Sequence, residues 1–93
     1  MIIGLLSLEI YLPCCHSLKE KRKRLLRIKD RLRRKFNVAF AELDYHDKWQ
    51  RSKIGFVSLN NQQKILEKTL RAVEAEAQDL IDGEIIRMET RFY

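Results

Sequence analysis

Leu18, Leu25, Ile28, Leu32 and Phe36 follow one another at seven, three, four and four residues. That spacing draws one apolar stripe along a helix over residues 18–36. A helix of this kind needs a second layer against which to bury its stripe. Ser17-Leu18-Lys19-Glu20 has the spacing of a capping box at its start. Ser17 can accept from the first helix amides, and Glu20 can reach back. Asn37 closes the helix.

The segments around it read as strands. In Ile2–Leu12, Leu6, Leu8, Ile10 and Leu12 alternate with Leu5, Ser7, Glu9 and Tyr11, and Pro13 ends the run. Val38–Leu43 is a second strand, Asp44–Gln50 is polar and turn-like, and Arg51–Leu59 is a third strand. Asn60-Asn61 caps a second helix that runs through about Asp82. Its stripe is Leu66, Leu70, Val73, Ala77 and Leu80, and Gly83 fits its stop. Glu84–Tyr93 is the last strand, with Ile86, Met88 and Phe92 opposite Arg87, Glu89 and Arg91. The order βαββαβ predicts an α+β, ferredoxin-like sandwich: a four-stranded antiparallel sheet with two helices on one face. Residues 1–93 read as a single domain.

Charge separates the two helices. Eleven of the nineteen lysines and arginines lie between Lys19 and Lys35, opposed only by Glu20 and Asp30. Lys19–Lys23, Lys23–Arg27, Arg27–Arg31 and Arg31–Lys35 are like-charge neighbours four residues apart. Each such pair costs a few tenths of a kcal/mol in an isolated helix. Glu20–Arg24 and Asp30–Arg34 offset part of that. A solvated face explains most charge runs, but this imbalance favours a polyanionic partner, RNA. Lys23, Arg27, Arg31 and Arg34 are the expected phosphate contacts, with Arg24 and Lys35 on one flank. Lys19, Lys21 and Arg22 add contacts near the helix start, where the dipole also favours anions.

Three further features carry possible chemistry. The open sheet face is expected to hold Leu5, Ile54 and Phe56, a patch suited to self-association. Base stacking there, as in RNA-recognition domains, lacks the strand aromatics it needs. The segment Glu42–Arg51 contains three carboxylates, His46 and the only tryptophan, Trp49. It could supply a general base or hard metal ligands, which would suit a small hydrolase or a metal-binding protein. No second cluster completes either site, so a loop in which Trp49 plugs the end of the core is the plainer reading. Trp49 and Arg51 could join the basic helix if the loop lies at the same edge. Cys14 and Cys15 are adjacent, so an ordinary disulfide is out of reach, and no zinc-spaced partner pair follows.

The apolar start, Met1–Leu12, carries Glu9 and is too short for a membrane span. With two spare thiols, the expectation is a cytoplasmic protein.

Several of these residues together resemble a known family. Ser17-Leu18-Lys19 with Lys21-Arg22, then Phe36-Asn37-Val38, Ala41-Glu42, and Asp47 with Trp49-Gln50-Arg51 are similar to the YlxP-like family of small bacterial proteins. The resemblance implies a ferredoxin-like fold of unknown biochemical function. The family's genes often lie among translation genes, which implies an RNA or ribosome role. Its motif falls on Ser17, Lys19, Lys21, Arg22, Glu42, Asp47, Trp49, Gln50 and Arg51. The resulting expectation is a non-catalytic protein that docks on ribosomal RNA of the 30S subunit or its precursor, with no cofactor and no metal. The alternative is an oligomeric structural module, a homodimer paired through its sheet.

Overall fold

The computed structural model describes residues 1–93. Its elements run β1 (Ile2–Tyr11), α1 (Leu18–Lys35), β2 (Ala39–Asp44), β3 (Arg51–Asn60), α2 (Gln63–Leu80) and β4 (Glu84–Phe92). The sheet is antiparallel with strand order β2-β3-β1-β4. This is the ferredoxin-like layout expected from the sequence. Both helices lie on one face of the sheet, over a core of sixteen buried apolar residues that includes Leu6, Leu8, Ile10, Leu25, Ile28, Leu32, Leu66 and Val73.

Local chemistry explains the element ends. Ser17 Oγ accepts from the Glu20 amide at 3.1 Å, and Glu20 Oε2 accepts from the His16 amide at 3.0 Å. The capping box therefore closes one residue further back than its usual form. Ahead of α2 the cap differs from expectation. Gln62 stands at the N-cap position and makes no side-chain bond, while Asn60 Oδ1 accepts from the Gln62 amide at 2.9 Å. Gly83 lies beyond the helix rather than at its cap. A Cβ there would stand 1.9 Å from the Tyr11 carbonyl oxygen, so close approach to β1 requires glycine.

One strand is turned over relative to the sequence reading. Phe56 sits opposite Leu6, and Ile54 opposite Leu8, so both share the inward face of β1 and are fully buried. They form core, not an oligomer surface. Phe40 meets Phe56 edge-on at 5.3 Å between ring centres. In a strand the side chains alternate, so a slip of one residue exchanges the two faces. Both parities of β3 hold two apolar residues, Ile54 and Phe56 against Val57 and Leu59. The inward set also brings in Ser52 and Ser58. Ser52 Oγ donates to Glu42 Oε2 at 2.6 Å, and Ser58 Oγ donates to the Asn37 carbonyl at 2.7 Å. The outer face instead carries Leu5, Leu43, Val57 and Leu59, next to a polar end with Glu9, Lys53 and Arg87.

A register shift at Glu9/Ile10 pairs Ile10 with Ile85. Ile85 therefore packs against the core, and Ile86 is left exposed. No helix is long and apolar enough to cross a membrane.

Candidate nucleic-acid interface

Helix α1 buries Lys21, Leu25, Ile28 and Leu32. Its other side is a cationic ridge about 27 Å long, at 1.5 Å per residue. Three of the eleven cations have acidic partners. Arg24 Nη1 lies 2.9 Å from Asp82 Oδ2, Lys35 pairs with Glu76, and Lys21 Nζ lies 2.9 Å from Glu42 Oε2. The remaining eight, Lys19, Arg22, Lys23, Arg27, Lys29, Arg31, Arg33 and Arg34, have none. All eight except the half-buried Lys29 are exposed. The flank facing α2 is thus neutralised by that helix and the turn after it, while the crest is not. The Arg24 contact holds the Asp82 carboxyl below its ordinary range.

Lys29 and Arg33 were not among the expected contacts. They line a groove of about 470 Å³ between α1 and the β2–β3 edge, with Asn37, Ala39 and Leu59. Their four-residue spacing beside the Leu25–Leu32 stripe is the signal that places them there.

Lys21 does not belong to the ridge. It is fully buried, and its ammonium donates to the carbonyls of Tyr45 at 2.6 Å, Arg51 at 3.3 Å and His46 at 3.5 Å. With Glu42 these acceptors enclose the charge, so the residue cannot reach a phosphate. Its role is to strap the β2–β3 loop to α1. Four motif residues meet there or next to it: Lys21, Glu42, Gln50 and Arg51. Gln50 Nε2 donates to the Pro13 carbonyl at 3.1 Å, and its own carbonyl accepts from the Leu12 amide at 2.8 Å.

Arg51 is likewise drawn away from the helix. Its side chain turns to the outer face, where Nη2 lies 3.2 Å from Glu9 Oε1 and the guanidinium stacks over the Tyr45 ring at 4.7 Å. The Tyr45 hydroxyl donates to Glu9 Oε1 at 2.7 Å. That bond, followed by the charge of Arg51, lowers the Glu9 carboxyl from its ordinary 4.5. It raises the Tyr45 hydroxyl for the same reason. Tyr45 takes a positive φ of 62°, a strained choice for an aromatic residue. The strap and the Glu9 contact hold it there.

Trp49 is different. It is 53% exposed and does not plug the core. It shares a shallow hollow with His16, Asp47, Lys48 and Gln50. His16 immediately precedes Ser17, the N-cap of α1, so the tryptophan stands beside the helix start. In the same loop, His46 Nε2 lies 3.1 Å from the Glu42 carbonyl, and Asp44 Oδ1 accepts from the Tyr45 amide at 2.7 Å. No three histidine, cysteine or carboxylate side chains are grouped so as to hold a metal ion. Cys14 is exposed, and Cys15 is buried, which raises its thiol.

Residues 3–90 match the family described as "Protein of unknown function (DUF503)". A Bacillus subtilis protein described as "Uncharacterized protein YlxP" is 39% identical over 74 residues, 80% of each chain. Among solved structures, a mutant of SnoaB, a cofactor-independent oxygenase from Streptomyces nogalater, superposes with a TM-score of 0.54 at 12% identity, over 99% of this chain and 90% of that one. That likeness is one of fold. LarC2, the C-terminal domain of a cyclometallase involved in synthesis of the lactate racemase NPN cofactor, gives a TM-score of 0.48 at 10% identity, over all of this chain and 55% of that one.

Proposed function

The chain belongs to the DUF503 family of proteins of unknown function, and for this member we propose non-catalytic RNA binding through the crest of α1. The observation that carries the reading is the set of eight cations without acidic partners on one side of one helix. Lysine and arginine at that density match a row of phosphates, and arginine adds two-pronged geometry. Lys19, Arg22 and Lys23 contact phosphates near the helix start, and Arg27, Arg31 and Arg34 continue the row. Exposed Trp49 offers a stacking surface at the same end. The translation-gene setting of the YlxP-like resemblance favours ribosomal RNA of the small subunit or its precursor.

The test is a triple substitution, Arg27, Arg31 and Arg34 to Glu, assayed by RNA binding and thermal melting. Binding should fall at least a hundredfold, while Tm stays level or rises as like-charge neighbours are removed. Unchanged binding, or loss of the fold, would contradict the reading.

The outer sheet face favours a second property, pairing with another copy. Leu43, Val57 and Leu59 are 44%, 38% and 54% exposed there, next to half-buried Leu5. Apolar side chains gathered in this way mark interaction surfaces. Leu43→Asp, on the same face but outside the groove of Lys29 and Arg33, should reduce the mass in solution to that of one chain and leave RNA binding unchanged. A monomeric unsubstituted protein would remove this second property alone.

A further inference from the structure

Strands β2 and β4 are the two edges of the sheet, and they are finished differently. Edges are commonly blunted by charged side chains that discourage a further strand. β4 carries Arg87, Glu89 and Arg91 at alternate positions, the last two paired with each other. β2 begins Ala39-Phe40-Ala41, with no charge before Glu42, and both alanines are exposed. The ladder locates its open backbone. Ile3 and Tyr93 exchange both of their hydrogen bonds, and the Leu12 amide donates to the Gln50 carbonyl. Bonding alternates along an antiparallel pair, so even residues of β1 bond to β3 and odd residues of β3 bond to β2. Val57 and Gly55 lie opposite Ala39 and Ala41. Phe40, between them, therefore turns both its amide and its carbonyl away from the sheet. The Glu42 carbonyl comes next on that side and lies 3.1 Å from His46 Nε2, which closes the open stretch.

This edge borders the groove of Lys29 and Arg33, whose lining includes Ala39, Phe40 and Leu59. No carboxylate lines the groove, and neither cation has an acidic partner, so its walls carry a charge of plus two. Both cations stand apart from the row of Lys19, Arg22, Lys23, Arg27, Arg31 and Arg34 assigned to phosphates. They wall the helix side of the edge, and Ala39 and Leu59 wall the other, apolar side.

We propose that β2 takes up an extended acidic segment of a partner protein as a further strand, paired to Phe40. Successive side chains of an added strand point to opposite faces. One set meets Lys29 and Arg33 and is glutamate or aspartate. The other lies beside Ala39 and Leu59 and is apolar. Phe40 needs an acceptor and a donor together, which a peptide backbone supplies and a row of phosphates, offering acceptors only, does not. The proposal stands independently of the RNA reading.

The test is a two-dimensional NMR titration of the full chain with a hexapeptide of alternating valine and glutamate, blocked at both ends, at constant ionic strength. The Phe40 amide should exchange rapidly with solvent in the free chain and be protected once the peptide is bound. Shifts at Phe40 and Ala41 should saturate, with a Kd on the order of 1 mM. Lys29→Ala combined with Arg33→Ala should weaken binding roughly tenfold, a few-fold for each solvent-facing ion pair. The same peptide methylated on its amide nitrogens keeps its charge and should not bind, and lysine in place of glutamate should also abolish binding. An unprotected Phe40 amide, equal binding of the methylated or the lysine peptide, or affinity that survives the double substitution would each overturn the proposal. So would a uridine hexanucleotide that saturates the same signals more tightly than the peptide, which would give the groove to nucleic acid.

Discussion

Helices α1 and α2 invite comparison because so much of their construction is shared. Each has eighteen residues, and each buries four at four-three-four spacing: Lys21, Leu25, Ile28 and Leu32 in one, Leu66, Leu70, Val73 and Ala77 in the other. They lie side by side on the same sheet face. Two things differ. Helix α1 carries eleven bases, ten of them outside its buried stripe, and two acids, whereas α2 carries three bases and four acids. The first buried rung is a lysine in α1 and a leucine in α2. The fold needs an apolar stripe from each helix, and α2 supplies one with almost no net charge. The cationic crest of α1 is therefore surplus to the architecture. Its one buried lysine is the opposite case, a cation the architecture uses.

The sharpest way to break this comparison is to exchange the special rung. Leu66→Lys would bury an ammonium among apolar groups with no cage of carbonyls to receive it. It should destabilise by upwards of about 4 kcal/mol, read by denaturant unfolding. Lys21→Ala should cost somewhat less, about 3 kcal/mol, because Glu42 can recover some water once the ammonium is gone. At roughly 4–8 °C per kcal/mol for a domain of this size, Tm should fall by ten degrees or more. RNA binding measured well below that Tm should change little. A strong binding defect in folded Lys21→Ala would return the residue to the interface.

Smaller effects sharpen the account. Asp82→Asn releases Arg24 to the crest and should tighten RNA binding by roughly two- to threefold at low salt. The pH dependence of stability tests the loop. Glu9 is held below its ordinary 4.5 in the folded protein. Its contribution is then fully present above the unfolded value and is lost as pH falls through the lower folded value. Acid unfolding followed by circular dichroism should show a loss of stability below about pH 4.5 that is shallower in Glu9→Gln.

Much of this was legible in the chain. The two stripes and the Ser17–Glu20 box place the helices, and the alternation in Ile2–Leu12 places the central strand, because each is a period the backbone geometry enforces. The face of β3 was not legible, since Ile54 and Phe56 compete with Val57 and Leu59 for the core and only pairing with β1 decides between them. Lys21 was hidden by its residue type, because lysine is almost never fully buried. A signal did exist: the seven-residue step from Leu18 to Leu25 leaves a rung empty at Lys21, and Glu42 alternates inward on β2. Arg51 was misplaced with its strand. Gly83 could not be understood from sequence, because the atom that forbids a side chain there belongs to Tyr11.

The central claim, that α1 keeps unpaired cations for phosphates, is tested most directly by the salt dependence of RNA affinity in the unsubstituted protein. If six phosphates of single-stranded RNA are contacted, log K should fall against log salt with a slope of about −4. A slope near zero would mean that the crest meets no phosphates.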